Sequence, residues 1–151
     1  MCLCLHLTMA VRRRKKLRVG LDFAGIGVIV LGLRKAIKRT RVKVQLSDAT
    51  EVNHKGQKFL KQVVGARRVH GDITTRAFHK CGQWDLLGIT APCQDFSSEN
   101  GSGRGAACAR GKLTKKSIKH VRRTKPSKRP KVIFFENVAN WLKRKKHRKF
   151  V

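Results

Sequence analysis

Negative charge is what this 151-residue chain has least of: eight Asp and Glu stand against 37 Lys and Arg, a formal charge of +29. That imbalance exceeds what solubility requires and names a polyanion as the natural partner. DNA or RNA phosphate fits, and an anionic membrane surface would be drawn by the same force. Charge of this kind reads no sequence and specifies no activity. Among the five cysteines (Cys2, Cys4, Cys81, Cys93, Cys108) there is no C-x-x-C pair and the number is odd. Neither a disulfide framework nor a structural zinc site is expected, no metal is assigned, and a reducing compartment fits best. No stretch approaches the ~20 apolar residues of a membrane-crossing helix. The opening MCLCLHLTMAV carries its basic cluster after the apolar run, the reverse of a signal peptide. The expectation is a nuclear or nucleoid/cytoplasmic chain, neither secreted nor membrane-bound, with Met9 a possible alternative start.

No internal repeat is present, and the length predicts a single core. RVGLDF (18–23) alternates as a strand, meets Gly25 and Gly27, and gives way to VIVLGLRKAIKR, whose apolar spacing suits a helix with a basic end. VKVQLS (42–47) reads as a second strand, NHKGQKFLKQVV as a helix, RRVHGD as a short third strand and WDLLGIT (84–90) as a buried fourth. A glycine-rich loop follows Cys93, then a basic helix KLTKKSIKHVRR and a fifth strand in PKVIFF (130–135). Strands alternating with helices predict a mostly parallel sheet covered on both faces, with ligands bound beyond the carboxyl ends of the strands. That edge comprises Phe23 to Gly27, Asp48 and Glu51, Asp72, Pro92 to Gln94, and Glu136 to Val138.

Acids are scarce, so their gathering at one edge suggests more than solvated surface, although acids also begin loops and cap helices. The turn after the first strand could hold a carboxylate or phosphate at a helix N-terminus. An acid after the second strand, Glu51 or Asp48, stands where such folds bind ribose hydroxyls. Together these suggest an adenosyl cofactor, a dinucleotide or S-adenosylmethionine. Cys93 directly follows a buried strand, held by Pro92 and succeeded by a long loop, so that its sulfur would face the cleft. Nearby positive charge favours the thiolate form that acts as nucleophile. Cys81, Cys108, Cys2 and Cys4 read as inert thiols.

The ordered set FAGIG, GDIT, WDLLG running into PCQDFS, ARGKL and IFFENV resembles the motifs of the cytosine-5 methyltransferases. It spans residues 18 to about 148 and corresponds to the front half of that family's catalytic domain. The resemblance implies a Rossmann-like fold dependent on S-adenosylmethionine, incomplete at its C-terminal end. Residues 1–17 would form a basic N-terminal extension and 18–151 a partial catalytic domain. It further implies that Phe23, Ala24, Gly25 and Gly27 line the cofactor pocket, that Glu51 takes the ribose, that Asp72 and Ile73 flank the adenine, and that Leu113 helps close the site. Cys93 would add to C6 of a cytosine flipped out of its duplex, and Glu136 would hold N3 and the exocyclic amine. Pro92, Gln94, Ser97, Arg110, Asn137 and Val138 would line the substrate side.

Two positions depart from the family pattern. The first-motif acid normally stands two residues before the phenylalanine, whereas here Leu21 takes that place and Asp22 adjoins Phe23, where strand alternation turns it to the other face. Val28 replaces a further glycine. The chain also stops soon after ENV, which suggests a fragment or half of a split enzyme, with a second polypeptide supplying target recognition. Double-stranded DNA is the expected substrate. The alternatives are an RNA substrate, as in the tRNA-modifying branch, and a non-catalytic, basic nucleic-acid-binding remnant.

Overall fold

The computed structural model describes residues 15–77, 81–93 and 109–138. The chain lays down β1 (Lys16–Asp22), α1 (Val28–Ala36), β2 (Lys43–Thr50), α2 (His54–Phe59) continued by a π-helical turn (Leu60–Val64), and β3 (Arg68–His70). Then come β4 (Leu86–Ile89), α3 (Ala109–Arg123), a 3-10 turn (Pro126–Lys128) and β5 (Val132–Phe135). The strands form one sheet in the order β3-β2-β1-β4-β5, and every pairing is parallel. The chain therefore builds outward from β1 through β2 to β3, then returns to the other side of β1 for β4 and β5. The reversal between β1 and β4 creates the crevice where folds of this kind take ligands. Each expected strand is present, but β1 starts earlier, at Lys16, and β2 runs on to Thr50.

One face of the sheet is hydrocarbon. Val19 and Leu21 of β1 alternate onto it, joined by Val44, Leu46 and Ala49 of β2, Val30 of α1, and Leu60 and Val64 of the π-helical turn. The other face receives Gly20 and Asp22. A Cβ on Gly20 would lie 2.5 Å from the Trp84 indole, so this position admits no side chain while the indole stays in place.

β2 changes phase midway. Val44 and Leu46 point into the hydrocarbon, and strict alternation would send Asp48 after them. Instead the register slips: Val19 pairs with Leu46 but Gly20 pairs with Asp48, leaving Ser47 as an extra residue. This β-bulge hands Ala49 to the apolar core and turns Asp48 to the opposite face, where Trp84 Nε1 donates to it at 2.8 Å.

α3 covers that second face. Thr114 and Ser117 are buried and Val121 packs on the cluster of Trp84, Leu87, Ile89 and Ala91, a spacing of three and then four residues that marks one helix stripe. The His120 ring meets Trp84 with centroids 5.6 Å apart. Coverage thins towards β5, whose Val132, Ile133 and Phe134 remain about half exposed. No helix among the described residues is long and apolar enough to cross a membrane.

Candidate active site at the carboxyl edge of the sheet

Hydrogen bonds beyond the strands tie all five strand ends into one rim. Ala24 N donates to Thr50 O (2.9 Å) and Glu51 N to His70 O (3.0 Å), linking the ends of β1, β2 and β3. Thr90 Oγ1 donates to Phe23 O at 2.8 Å, joining β4 to the glycine turn. Glu136 N donates to Ile89 O (3.0 Å), and the Asn137 amide donates to Ala91 O (3.2 Å). The last two bonds put the Ile89–Ala91 stretch, which leads into Pro92 and Cys93, beside Glu136 and Asn137.

The glycine turn is conformationally demanding. Phe23 (φ 61), Gly25 (φ 53) and Gly27 (φ 76) all take left-handed backbone, and for Phe23 that costs roughly 1–3 kcal/mol. Such strain persists where the surroundings enforce it, here through the Ala24 and Thr90 bonds to either side. Gly27 precedes α1 with no side-chain cap, and no acid stands in the first turn, which leaves the helix's positive end open to an anion. Val28, the replacement for a family glycine, is 65% exposed and does not fill the turn.

Glu51 faces this turn. Its carboxylate accepts from Gly25 N at 2.7 Å and from Asn53 N at 2.8 Å, and its carbonyl accepts from the Gln57 amide at 2.7 Å. Gly56 makes the approach possible, since a Cβ there would lie 3.0 Å from Glu51 Cγ and 3.2 Å from Gly25 O. Sequence reasoning missed Gly56, whose only local signal is a glycine inside a helical pattern, where it costs ~1 kcal/mol relative to alanine.

Asp48 corrects the sequence reading. It was expected at the ligand edge beside Glu51, but β2 extends past it and the bulge buries it. Arg68 (2.8 Å), His70 (3.1 Å), Gly82 N (3.1 Å) and Trp84 Nε1 (2.8 Å) fill its oxygens. Burial pushes this carboxyl up, yet the donors together outweigh it and hold it below the usual carboxylate range. Asp22 turns to the same side, as alternation requires, and forms a fully buried ion pair with Arg76, whose guanidinium also bonds Thr50 Oγ1 and lies 5.9 Å over the Trp84 ring. Nothing in the sequence singled out Arg76, because its partner is 54 residues away.

Asp48, His70 and Cys81 form one group of metal-capable side chains among the described residues. Four donors already occupy the Asp48 oxygens, and burial pushes the Cys81 thiol up to about 11. The group reads as a structural hydrogen-bond network.

The remaining expected residues divide by position. Cys93 is a free, half-buried thiol next to half-buried Pro92, so the residue is not sealed in the core. Glu136 is exposed, while Asn137 and Val138 are half-buried. Ile73 is buried and Asp72 exposed. A bond from Thr74 N to Asp72 holds that carboxyl below its ordinary range. Leu113 is half-buried on α3, and Arg110 belongs to the same helix. Gln94 and Ser97 lie outside the described residues.

The sequence matches the family model of the C-5 cytosine-specific DNA methylases over residues 21–151. A comparison with curated proteins returns no match. Similar solved structures include the Schizosaccharomyces pombe Dnmt2 methyltransferase, at 21% identity and a TM-score of 0.61, covering 90% of this chain and 40% of that one. The Entamoeba histolytica methyltransferase EhMeth aligns at 19% identity and 0.61, covering 90% and 42%. The chain thus spans about two fifths of the length of these neighbours, whose likeness is one of fold. With the family model covering nearly the whole chain and its motifs standing at the strand ends that the rim bonds join, this protein belongs to the C-5 cytosine-specific DNA methylase family.

Proposed function

We propose that this chain is the cofactor-binding and nucleophile-bearing half of a DNA cytosine-5 methyltransferase. The observation that carries the reading is the pair of bonds, Glu136 N to Ile89 O and the Asn137 amide to Ala91 O, that brace the Cys93 stem against the ENV segment. Thiol and carboxyl residues thereby stand at the ends of two paired strands, β4 and β5, beside the crevice.

The residues of the first turn suit S-adenosylmethionine. The uncapped start of α1 would take its carboxylate, Glu51 its ribose hydroxyls, and the side-chain-free approach at Gly25, where a Cβ meets nothing within 4 Å, leaves room for it. When bound, that cofactor supplies an electrophilic methyl group. Cytosine C5 is too weak a nucleophile to take it unaided. A sulfur–carbon bond from the Cys93 thiolate to C6 would move the C5–C6 electron pair onto C5, with a protonated Glu136 donating to N3 and accepting from the amine to offset the negative charge gained by the ring. Loss of the C5 proton after methylation restores the double bond and expels the sulfur. The target must leave its duplex for C6 to be reached, and the chain's positive charge would hold the backbone meanwhile.

The fraction of neighbour length spanned and the exposed β5 support completion of the domain by further polypeptide, covalent or separate, against that strand. Calorimetry with S-adenosylmethionine should show binding by the chain that Glu51→Ala removes. A duplex containing 5-fluorocytosine should form a covalent complex that Cys93→Ala abolishes while nonspecific DNA affinity persists. A trapped complex with the alanine variant would overturn the assignment of Cys93.

A further inference from the structure

At the opposite end of β4 and β5 from Cys93 and Glu136, a groove of about 590 Å³ opens between α3, the 81–84 segment and the 3-10 turn. Trp84 and Pro130, which line it, precede β4 and β5, whereas Cys93 and Glu136 follow them. With four residues in β4, the strand alone separates the two places by about 13 Å at ~3.3 Å per residue.

The walls of this groove are cationic. Lys116, Lys119 and Arg123 recur at three and four residues along α3 and form one stripe. Lys125 and Lys128 face them from the turn, and none of the twelve lining residues is acidic. Arg129 fixes the turn, since its guanidinium donates to Thr124 O at 3.0 Å and to Arg122 O at 2.9 Å, occupying carbonyls at the end of α3. Trp84, locked by its bond to Asp48 and by the His120 ring, forms the floor. Five like charges gathered around one concavity raise the local positive potential and draw an anion to it, while the Arg129 and Trp84 hydrogen bonds fix the turn and the floor.

We infer that this groove is a second nucleic-acid contact, which grips backbone phosphates at the amino edge of the sheet, remote from the reacting base. A phosphodiester strand suits two facing cationic walls. A membrane is disfavoured because the surface is concave and its aromatic floor, Trp84, is 4% exposed and cannot insert into lipid. The contact is independent of catalysis and stands whether or not the chain methylates DNA.

The test uses the full chain and three probes: a fluorescent DNA duplex of arbitrary sequence, an RNA hairpin, and phosphatidylserine vesicles. Lys119→Glu/Arg123→Glu/Lys128→Glu is compared with Lys35→Glu/Lys38→Glu/Arg39→Glu, which removes the same charge from exposed positions in and after α1. The groove variant should lose about tenfold or more in nucleic-acid affinity, and the slope of log affinity against log salt should fall by up to ~3, with a much smaller loss in the control. Retention of one nucleic acid and loss of the other identifies which strand the groove holds. Equal losses in both variants, or loss confined to vesicles, would overturn the inference. Circular dichroism checks folding, and if the reversed variant does not fold, Lys119→Gln/Arg123→Gln carries the same comparison. Calorimetry with S-adenosylmethionine should be unchanged in the groove variant, so failure here is distinct from failure of the methyltransferase reading.

Discussion

The two faces of the sheet are stabilised by different physics. Under α1 and the π-helical turn, Val19, Leu21, Val30, Leu46, Leu60 and Val64 pack as hydrocarbon at 2% exposure or less. Under α3, the corresponding layer holds two buried aspartates, Asp22 and Asp48, each paired with an arginine, together with Trp84, His120, Thr114 and Ser117. On the first face a substitution costs the apolar area and the cavity it leaves behind. The second depends on every partner being present, because a buried charge without its counter-charge is far costlier than a missing methyl.

The largest effect should come from breaking the ionic layer on one side. Asp22→Ala leaves the Arg76 guanidinium, whose side chain is fully buried, without its carboxylate, and should destabilise by about 3–5 kcal/mol. Replacing both, as Asp22→Leu/Arg76→Met, should recover much of that loss. Urea unfolding of the three proteins decides it, and a double variant no better than the single would show that the pair does more than satisfy itself.

Leu46→Ala probes the hydrocarbon face and should cost roughly 2–5 kcal/mol, set by how far the neighbours collapse into the space. No pairwise rescue is expected there, since no single residue is the partner of Leu46. Gly20→Ala probes the boundary between the faces. Its methyl would press on Trp84, and overpacking of this sort costs about 1–3 kcal/mol. Thermal denaturation should rank it below Leu46→Ala, and a matching change in Trp84 fluorescence would locate the strain.

The hydrocarbon face was legible in the sequence because alternation in RVGLD and VKVQL and the helical spacing of VIVLGL are local signals. The parallel pairing of the strands followed from their alternation with helices, and the motif residues Gly25, Gly27, Glu51, Cys93 and Glu136 were placed just beyond strand ends. The ionic face was not legible. Its contacts join Asp22 to Arg76 and Asp48 to Trp84, separations of 54 and 36 residues that no local pattern encodes. Asp48 was misplaced for a specific reason: the strand was read as ending at Ser47 but runs on to Thr50, and the bulge at Ser47, which a period-two reading cannot see, then turns Asp48 onto the ionic face. The basic groove was legible as charge but not as a place, because its walls come from a helix and a turn brought together by folding.

The ionic face should also make the protein acid-sensitive in two separate windows, which the hydrocarbon face cannot do. His120 is held below its ordinary value, first by burial and then by the Arg76 charge, against the opposing pull of Asp22 and Asp48. Folding therefore favours the neutral ring, and stability present above the unfolded value of about 6.5 declines as pH falls below it. Asp48 is depressed from 3.8 by its donors despite burial, so its contribution is complete above that value and is lost as pH falls through the lower folded-state value. Urea midpoints measured across pH should fall in two steps. His120→Phe, which keeps a ring against Trp84, should flatten the step near neutrality, and Asp48→Asn the step in strong acid. A midpoint profile unchanged by His120→Phe would mean that the imidazole stays protonated without penalty, and that the layer beneath α3 is wetter than its burial implies.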